Sequence, residues 1–289
     1  MTVSPQSQTA LHTSTGLTLG SPAIRYWTTG EQGSAVCLLM GFGMRGELWT
    51  PQITGLSSEH RIAWYDHRGV GESSAGPKPI WRMADMARDC LSVIDALTWE
   101  RVHLVGVSMG GMIAQEVATR APHRLTSLTL IATHSGGPLQ FKIPPMKGLR
   151  AFLKVNLTRG RRRADALRTL LYPDHFVAGS DLQALNARLS ARLARPVPTR
   201  TVLAHLNAVI RHDVRNRLDK ISVPTLIVRP GQDILVKPDS AERLKAQIPG
   251  ARVLSLPDAG HGLIWQKADT LNDALLKHFA DADSKAKHR

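Results

Sequence analysis

The sequence predicts an α/β fold in which a mostly parallel sheet, flanked by helices, is interrupted by a helical insertion. Three observations point there. Short apolar runs rich in β-branched residues alternate with stretches of helical periodicity. Residues 135–215 show no strand pattern, and the strand rhythm resumes after them. The length, 289 residues, suits one large α/β domain with an insertion better than an array of small modules.

The elements follow in order. Residues 23–29 (AIRYWTT) read as a strand. Residues 35–40 (AVCLLM) form a continuous apolar run ending at Gly41, as a strand covered on both faces should. Residues 61–66 (RIAWYD) give another strand. Apolar residues at 83, 86, 87, 90, 91, 94 and 97 make a helical stripe. A strand at 101–107 (RVHLVGV), a helix at 109–120 and a strand at 125–132 follow. Helices are then expected at 146–158, 164–172, 181–195 and 199–211, the last two separated by Arg195-Pro-Val-Pro198. In that block Leu149, Phe152, Leu153, Val155 and Leu157 form an apolar stripe expected to pack on the core. Residues 223–228 (VPTLIV) resume the strands. A helix at 239–248 with Asp239 as its N-cap, a strand at 251–256 and a helix at 265–279 complete the pattern. The last nine residues, DADSKAKHR, are expected to fray. The domain reading is therefore a core in two parts, 1–134 and 216–289, around a helical insertion at 135–215.

Composition narrows the function classes. Hydrophobic residues make up 43% and charged residues 21%, so wholesale disorder is excluded. No run of 18 apolar residues could cross a membrane as a helix. The polar first residues lack the apolar core of a secretory signal, and a cytoplasmic location is expected. Cys37 and Cys90 are too few for a disulfide scaffold and read as buried free thiols. The net charge is +14, and it is concentrated. Fifteen Lys and Arg against four Asp lie between His134 and Arg215. Such a surface attracts anionic substrates or acidic partners. No nucleic-acid motif accompanies the charge and aromatics are only 5%, so nucleic acid is not an expected partner. Much of Arg161-Arg162-Arg163 is expected to be a solvated helix face.

The chemistry starts at Gly106-Val-Ser108-Met-Gly110, followed by Gly111. It follows an apolar strand and opens a helix, the context of a nucleophile elbow. A side chain at the tip of a sharp strand-to-helix turn is exposed above the sheet, and the flanking glycines let strand and helix approach. A serine hydroxyl needs a base. Of twelve histidines, His261 follows a strand on a loop before the last helix, whereas His103 lies inside a strand and His205 and His212 in the insertion. The base needs an acid to orient it. Asp233, in Arg-Pro-Gly231-Gln-Asp233 after the strand VPTLIV, is the candidate, with Asp239 and Asp258 as nearby alternatives. The oxyanion of acyl transfer needs backbone donors. They are expected from Met109, the residue after the nucleophile, and from Phe42 in the loop Met40-Gly41-Phe42-Gly43-Met44. Met44, Phe141, Met146 and Trp265 are candidate pocket residues.

In these motifs the chain resembles α/β-hydrolase fold enzymes with a helical cap. The chain order Ser108, Asp233, His261 is the order of that family. Asp66-His-Arg68-Gly69-Val-Gly71-Glu-Ser73 is similar to its structural D-x-R-G-x-G-x-S turn, and Asp213 to Val228 resembles the return from cap to core. The resemblance covers residues 17–280. Many members read His-Gly where this chain has Met40-Gly41, so a side-chain contact made by that His is absent. A serine at the nucleophile position disfavours dehalogenase and epoxide-opening chemistry, for which relatives use Asp. The expected function is that of a cofactor-independent serine hydrolase, a carboxylesterase of apolar, small or medium esters, with no metal; its partner is a small-molecule ester or lactone, and it is expected to be a monomer or homodimer. Lactonase, thioesterase, C–C bond hydrolase and perhydrolase chemistry use the same residues. A non-catalytic ligand receptor on this fold, and a basic docking protein for acidic partners, are the expectations from other classes.

Overall fold

The computed structural model describes residues 13–138, 143–185, 189 and 197–287. Their strands are β1 (Ser14–Leu17), β2 (Arg25–Thr29), β3 (Ala35–Leu39), β4 (Arg61–Tyr65), β5 (Val102–Val107), β6 (Leu125–Ile131), β7 (Thr225–Pro230) and β8 (Arg252–Leu256). They form one sheet in the order β1-β2-β4-β3-β5-β6-β7-β8. β2 pairs antiparallel with both β1 and β4, and every other pairing is parallel. The α/β reading is correct.

The two-residue period of the strands explains the layering. Cys37 and Leu39 on β3 and Leu104 on β5 face α2 (Met83–Ala96) and α3 (Met109–Arg120). Val36, Leu38, Val105 and Val107 face the opposite way, toward α1 (Thr50–Leu56) and the terminal helix. Both faces of the central strands are thus covered, which is why β3 and β5 are buried along their whole length. Cys37 and Cys90 are buried free thiols, as expected. A hydrogen bond with Cys90, together with burial, pushes the Cys37 thiol up.

Between β6 and β7 the described residues form no strand, only an isolated bridge between Gly136 and Asp213, the helices α4 (Met146–Leu157), α5 (Gly160–Leu171), α6 (Asp174–Ala178) and α7 (Thr199–Arg211), and a 3-10 helix at Arg215–Lys220. The helix expected at 181–195 is represented by residues 182–185, and its rest falls largely outside the described residues. The apolar stripe of α4 is only partly correct. Val155 and Phe152 pack with Leu167 and Leu170 of α5, whereas Leu153 and Leu157 lie 47% and 80% exposed on the opposite face.

Three further expectations are corrected. β1 was not expected, because four mostly exposed residues at a sheet edge carry no hydrophobic alternation. Asp239 is not an N-cap. Pro238 precedes it, and Asp239 opens α8 (Asp239–Gln247), paired with Arg243 one turn on. The terminal nine residues do not simply fray, because the last helix continues to Lys287. After α9 (Leu263–Gln266), α10 runs over Ala268–Lys287. Asp283 fixes it to the sheet, taking a hydrogen bond from Ser34 Oγ (2.8 Å) and approaching His103 Nε2 on β5 (3.1 Å). No described helix is long and apolar enough to cross a membrane.

The turn after β4 holds the loops beside the sheet's carboxyl end. Asp66 accepts the Gly46 N–H (2.8 Å), and Ser73 Oγ donates to the Asp66 carbonyl (2.6 Å). Arg68 is buried and makes two 2.6 Å bonds to the buried carboxylate Asp89 of α2, with its guanidinium over Trp81. A planar fork on a carboxylate is the geometry for which only Arg suffices. The turn thus locks β4 to α2.

Candidate active site

β5 ends at Val107 and α3 begins at Met109, so Ser108 alone makes the turn. Its backbone sits at φ 56°, ψ −119°, outside the regions a residue with a Cβ normally occupies. The glycines around it are required by close approach. A Cβ on Gly106 would lie 2.3 Å from the Gly110 carbonyl oxygen, and one on Gly110 would lie 2.2 Å from the Leu39 carbonyl oxygen. The helix therefore starts against the end of β3, and the Ser108 side chain is presented at the carboxyl end of the sheet. Gly41 adjoins it, with a Cβ there falling 3.9 Å from Ser108 Oγ.

Asp233 follows β7 and His261 follows β8, neighbouring strands at the same end. His261 Nδ1 lies 2.7 Å from Asp233 Oδ2, with both residues buried. Asp233 Oδ1 accepts the N–H groups of Leu235 (2.7 Å) and Val236 (2.9 Å), so its carboxylate is held at both oxygens. An ionised carboxylate only accepts, so the Nδ1 position carries the proton and Nε2 is left free to accept one. The alternatives are placed elsewhere: Asp258 pairs with Lys267 (2.6 Å) and Asp239 with Arg243. Ser108 and His261 border the same cavity. Among the described residues no hydrogen bond yet joins their side chains, and such contacts commonly tighten only around substrate.

Of the two expected oxyanion donors, Met109 N–H is one of the unpaired donors at the start of α3. In the loop after β3, Met44 N–H donates back to the Gly41 carbonyl (3.3 Å), leaving the Phe42 N–H outside the loop's own bonds. The position where many relatives carry His is Met40, and its carbonyl accepts a hydrogen bond from His67 Nε2 (2.8 Å). His67 is buried, which lowers its pKa to about 4 and keeps it neutral. A residue of the neighbouring turn thus anchors the start of the loop after β3. The Phe42 ring meets Phe152 and His205 edge-on at 5.3 and 5.6 Å. Burial lowers His205 to about 3, outweighing a hydrogen bond to the Arg68 backbone that acts the other way.

The cavity measures about 240 Å³. Phe42, Met44, Ser108, His261 and Trp265 line it, together with residues of α4, α5 and α7. Trp265 Nε1 donates to the Leu48 carbonyl (2.8 Å), which fixes its ring in the wall. The Met109 side chain lies in the core rather than in the lining. Met146 is not brought to the site: it opens α4, 61% exposed and away from the lining. Phe141 lies outside the described residues. Sequence reasoning missed Leu170, Tyr172, Arg159 and Arg163 as lining residues. The run of arginines at the start of α5 was the available signal, but it reads equally as a solvated face. Among the described residues no group of three His, Cys, Asp or Glu could hold a metal ion.

The family model described as alpha/beta hydrolase fold matches residues 34–268. The chain belongs to the alpha/beta hydrolase fold family. As an alpha/beta hydrolase it is 31% identical over 268 residues to a protein of Azorhizobium caulinodans provisionally named as the carbamate hydrolase RutD, covering 91% of this chain and 98% of that one. Among solved structures it is similar to the enol-lactonase of Burkholderia xenovorans LB400, with a TM-score of 0.79 at 22% identity, covering 92% of this chain and 100% of that one. It is also similar to a hydrolase from Pseudomonas aeruginosa PA01, with a TM-score of 0.78 at 26% identity, covering 93% and 98% of the two chains. Its relatives are thus hydrolases, and the alpha/beta hydrolase fold and family expected from the motifs are correct.

Proposed function

We propose that this protein is a serine hydrolase that cleaves carboxylic esters of small or medium acids through an acyl-enzyme. The 2.7 Å contact between His261 Nδ1 and Asp233, beside a strained Ser108 on the same cavity wall, carries the reading. Ser108 Oγ attacks the carbonyl carbon while His261 Nε2 takes its proton. Asp233 holds the imidazole in the required tautomer and stabilises the imidazolium. The Phe42 and Met109 amides hold the oxyanion. The tetrahedral species collapses as His261 returns the proton to the leaving alcohol. Water, deprotonated by His261, then attacks the acyl-enzyme and releases the acid and free Ser108.

Residues 135–215 act in this reading as a cap that walls the acyl site, between core segments 1–134 and 216–289. The two buried thiols fit a reducing compartment such as the cytoplasm. The carbamate hydrolase name of the 31% identical relative favours a second substrate class, a carbamate, whose carbonyl would be attacked in the same way. A fluorophosphonate probe and an activity panel of esters, lactones, thioesters and carbamates test the proposal. Labelling at Ser108, and loss of p-nitrophenyl butyrate hydrolysis in a folded Ser108→Ala variant, are the expected results. Undiminished turnover in that variant would remove Ser108 as nucleophile, and tight ligand binding without turnover in the native protein would favour a receptor.

A further inference from the structure

The cavity wall carries charge of one sign only. Among the described residues that line it the charged ones are Arg159 and Arg163, with no Asp or Glu. The residues outside the described set contain no Asp or Glu either, so no acidic side chain elsewhere in the chain remains to be placed there. Arg163 is partly buried, and its Nε is shielded from solvent with no hydrogen-bond partner. Arg168 further along the helix pairs with Asp165, whereas among the described residues Arg163 has no ion pair. Burial alone lowers its pKa, with no acid nearby to oppose that.

This placement does not serve the helix. Arg159, Arg161, Arg162 and Arg163 crowd the first turn of α5, where the backbone dipole disfavours cations, and no acidic residue occupies that turn. The rest of the wall is largely apolar: Phe42, Met44, Leu48, Val155, Leu170 and Trp265 among others. A guanidinium donor shielded from water in such a wall lacks an acceptor unless the occupant brings one.

We propose that the cavity selects acyl substrates bearing a second, anionic group, a carboxylate remote from the scissile bond, which Arg163 binds with Arg159 beside it. The inference rests on the ester-hydrolase reading and names its substrate class: half-esters or lactones of dicarboxylic acids rather than simple fatty esters. Apolar side chains would enclose the linking methylenes, while the carboxylate accepts from the arginines. The positive insertion would draw such anions toward the opening. An Arg whose stem merely lines the wall while its head reaches water would show none of this discrimination.

The test pairs two p-nitrophenyl esters of matched length, the hexanoate and the adipate half-ester. The native protein is expected to favour the adipate half-ester in kcat/KM. Arg163→Gln should lose about 10- to 100-fold on that ester, mainly through KM, and little on the hexanoate. Arg163→Lys should recover part of the loss. Equal effects on both esters, or no preference in the native protein, would overturn the proposal. Calorimetric titration of Ser108→Ala with adipate and hexanoate supplies a readout independent of turnover. Tighter binding of adipate that disappears in Ser108→Ala/Arg163→Gln supports the anion site even if ester hydrolysis fails. Equal binding of the two acids overturns it even if hydrolysis is found.

Discussion

At the scale of single residues, function turns on which atoms carry protons. Asp233 is held by two backbone N–H groups on one oxygen and faces His261 with the other. Asp233→Asn keeps size and buried contacts, but its amide nitrogen would turn to His261 because Oδ1 is already claimed by Leu235 and Val236. His261 Nδ1 must then accept, and Nε2 must carry the proton that the proposed mechanism has it take from Ser108. Ester turnover at neutral pH is expected to fall about 10³- to 10⁴-fold with the melting temperature little changed, as measured by steady-state kinetics beside a thermal melt. His67 illustrates a residue whose role the sequence hid. Its place in Asp66-His-Arg68-Gly69 marked a turn, but nothing in that spacing says that its ring reaches the Met40 carbonyl, twenty-seven positions away. Arg163 was hidden for the same reason: a run of arginines reads as a solvated face until a tertiary wall removes one from water.

At the scale of elements, the legible parts were those whose local pattern and tertiary role agree. β3 and β5 are buried on both faces, so their apolar runs announced them, and Gly106-Val-Ser108-Met-Gly110 announced the junction between strand and helix. The elements that went unseen or were misplaced lack such agreement. The edge strand β1 is short and exposed, and α6 is only five residues long. In α4 the apolar residues occupy two faces, and only contact with α5 decides which is inside. The elbow itself yields a sharp expectation. Gly110→Ala would place a methyl group 2.2 Å from the Leu39 carbonyl oxygen, against backbone that has no room to give. α3 must then shift away from β3, costing about 1–3 kcal/mol and displacing both Ser108 and the Met109 amide. Urea denaturation should show the loss of stability, and fluorophosphonate labelling the loss of reactivity; a variant as stable and reactive as the native protein would contradict the close approach.

At the scale of the whole molecule, acid is the condition to which the fold is most exposed. His67, His205 and His278 are buried and held neutral, with pKa values lowered to about 4, about 3 and about 4 from an ordinary 6.5. Below pH 6.5 the unfolded chain binds protons that the folded chain refuses, so stability rises with pH through this window and is lost as pH falls from 6.5 toward 4. The buried carboxyls Asp66 and Asp89, raised by burial, titrate in the opposite sense toward the acid end. Melting temperatures recorded between pH 7.5 and 4.5 should decline progressively, and His205→Leu, which removes the most strongly lowered of the three, should flatten part of that decline. A melting temperature independent of pH over that range would contradict the burial of these rings as neutral species. The global order of strands was legible because a parallel sheet with crossover helices admits few arrangements. The packing of α10 was not, since its anchoring acids lie in a polar stretch that only the finished sheet can engage.

The strand that presents Ser108 at its far end carries His103 near its beginning, and that imidazole meets Asp283, six residues from the final arginine. The closing stretch of the polypeptide is therefore a mooring for the central strand. Trimming the chain before Asp281 would cast off that line at the base of the very strand whose tip carries the reactive alcohol. An affinity tag for purifying this enzyme is better placed at the front of the chain, ahead of Ser14, than spliced in place of its last helical turns.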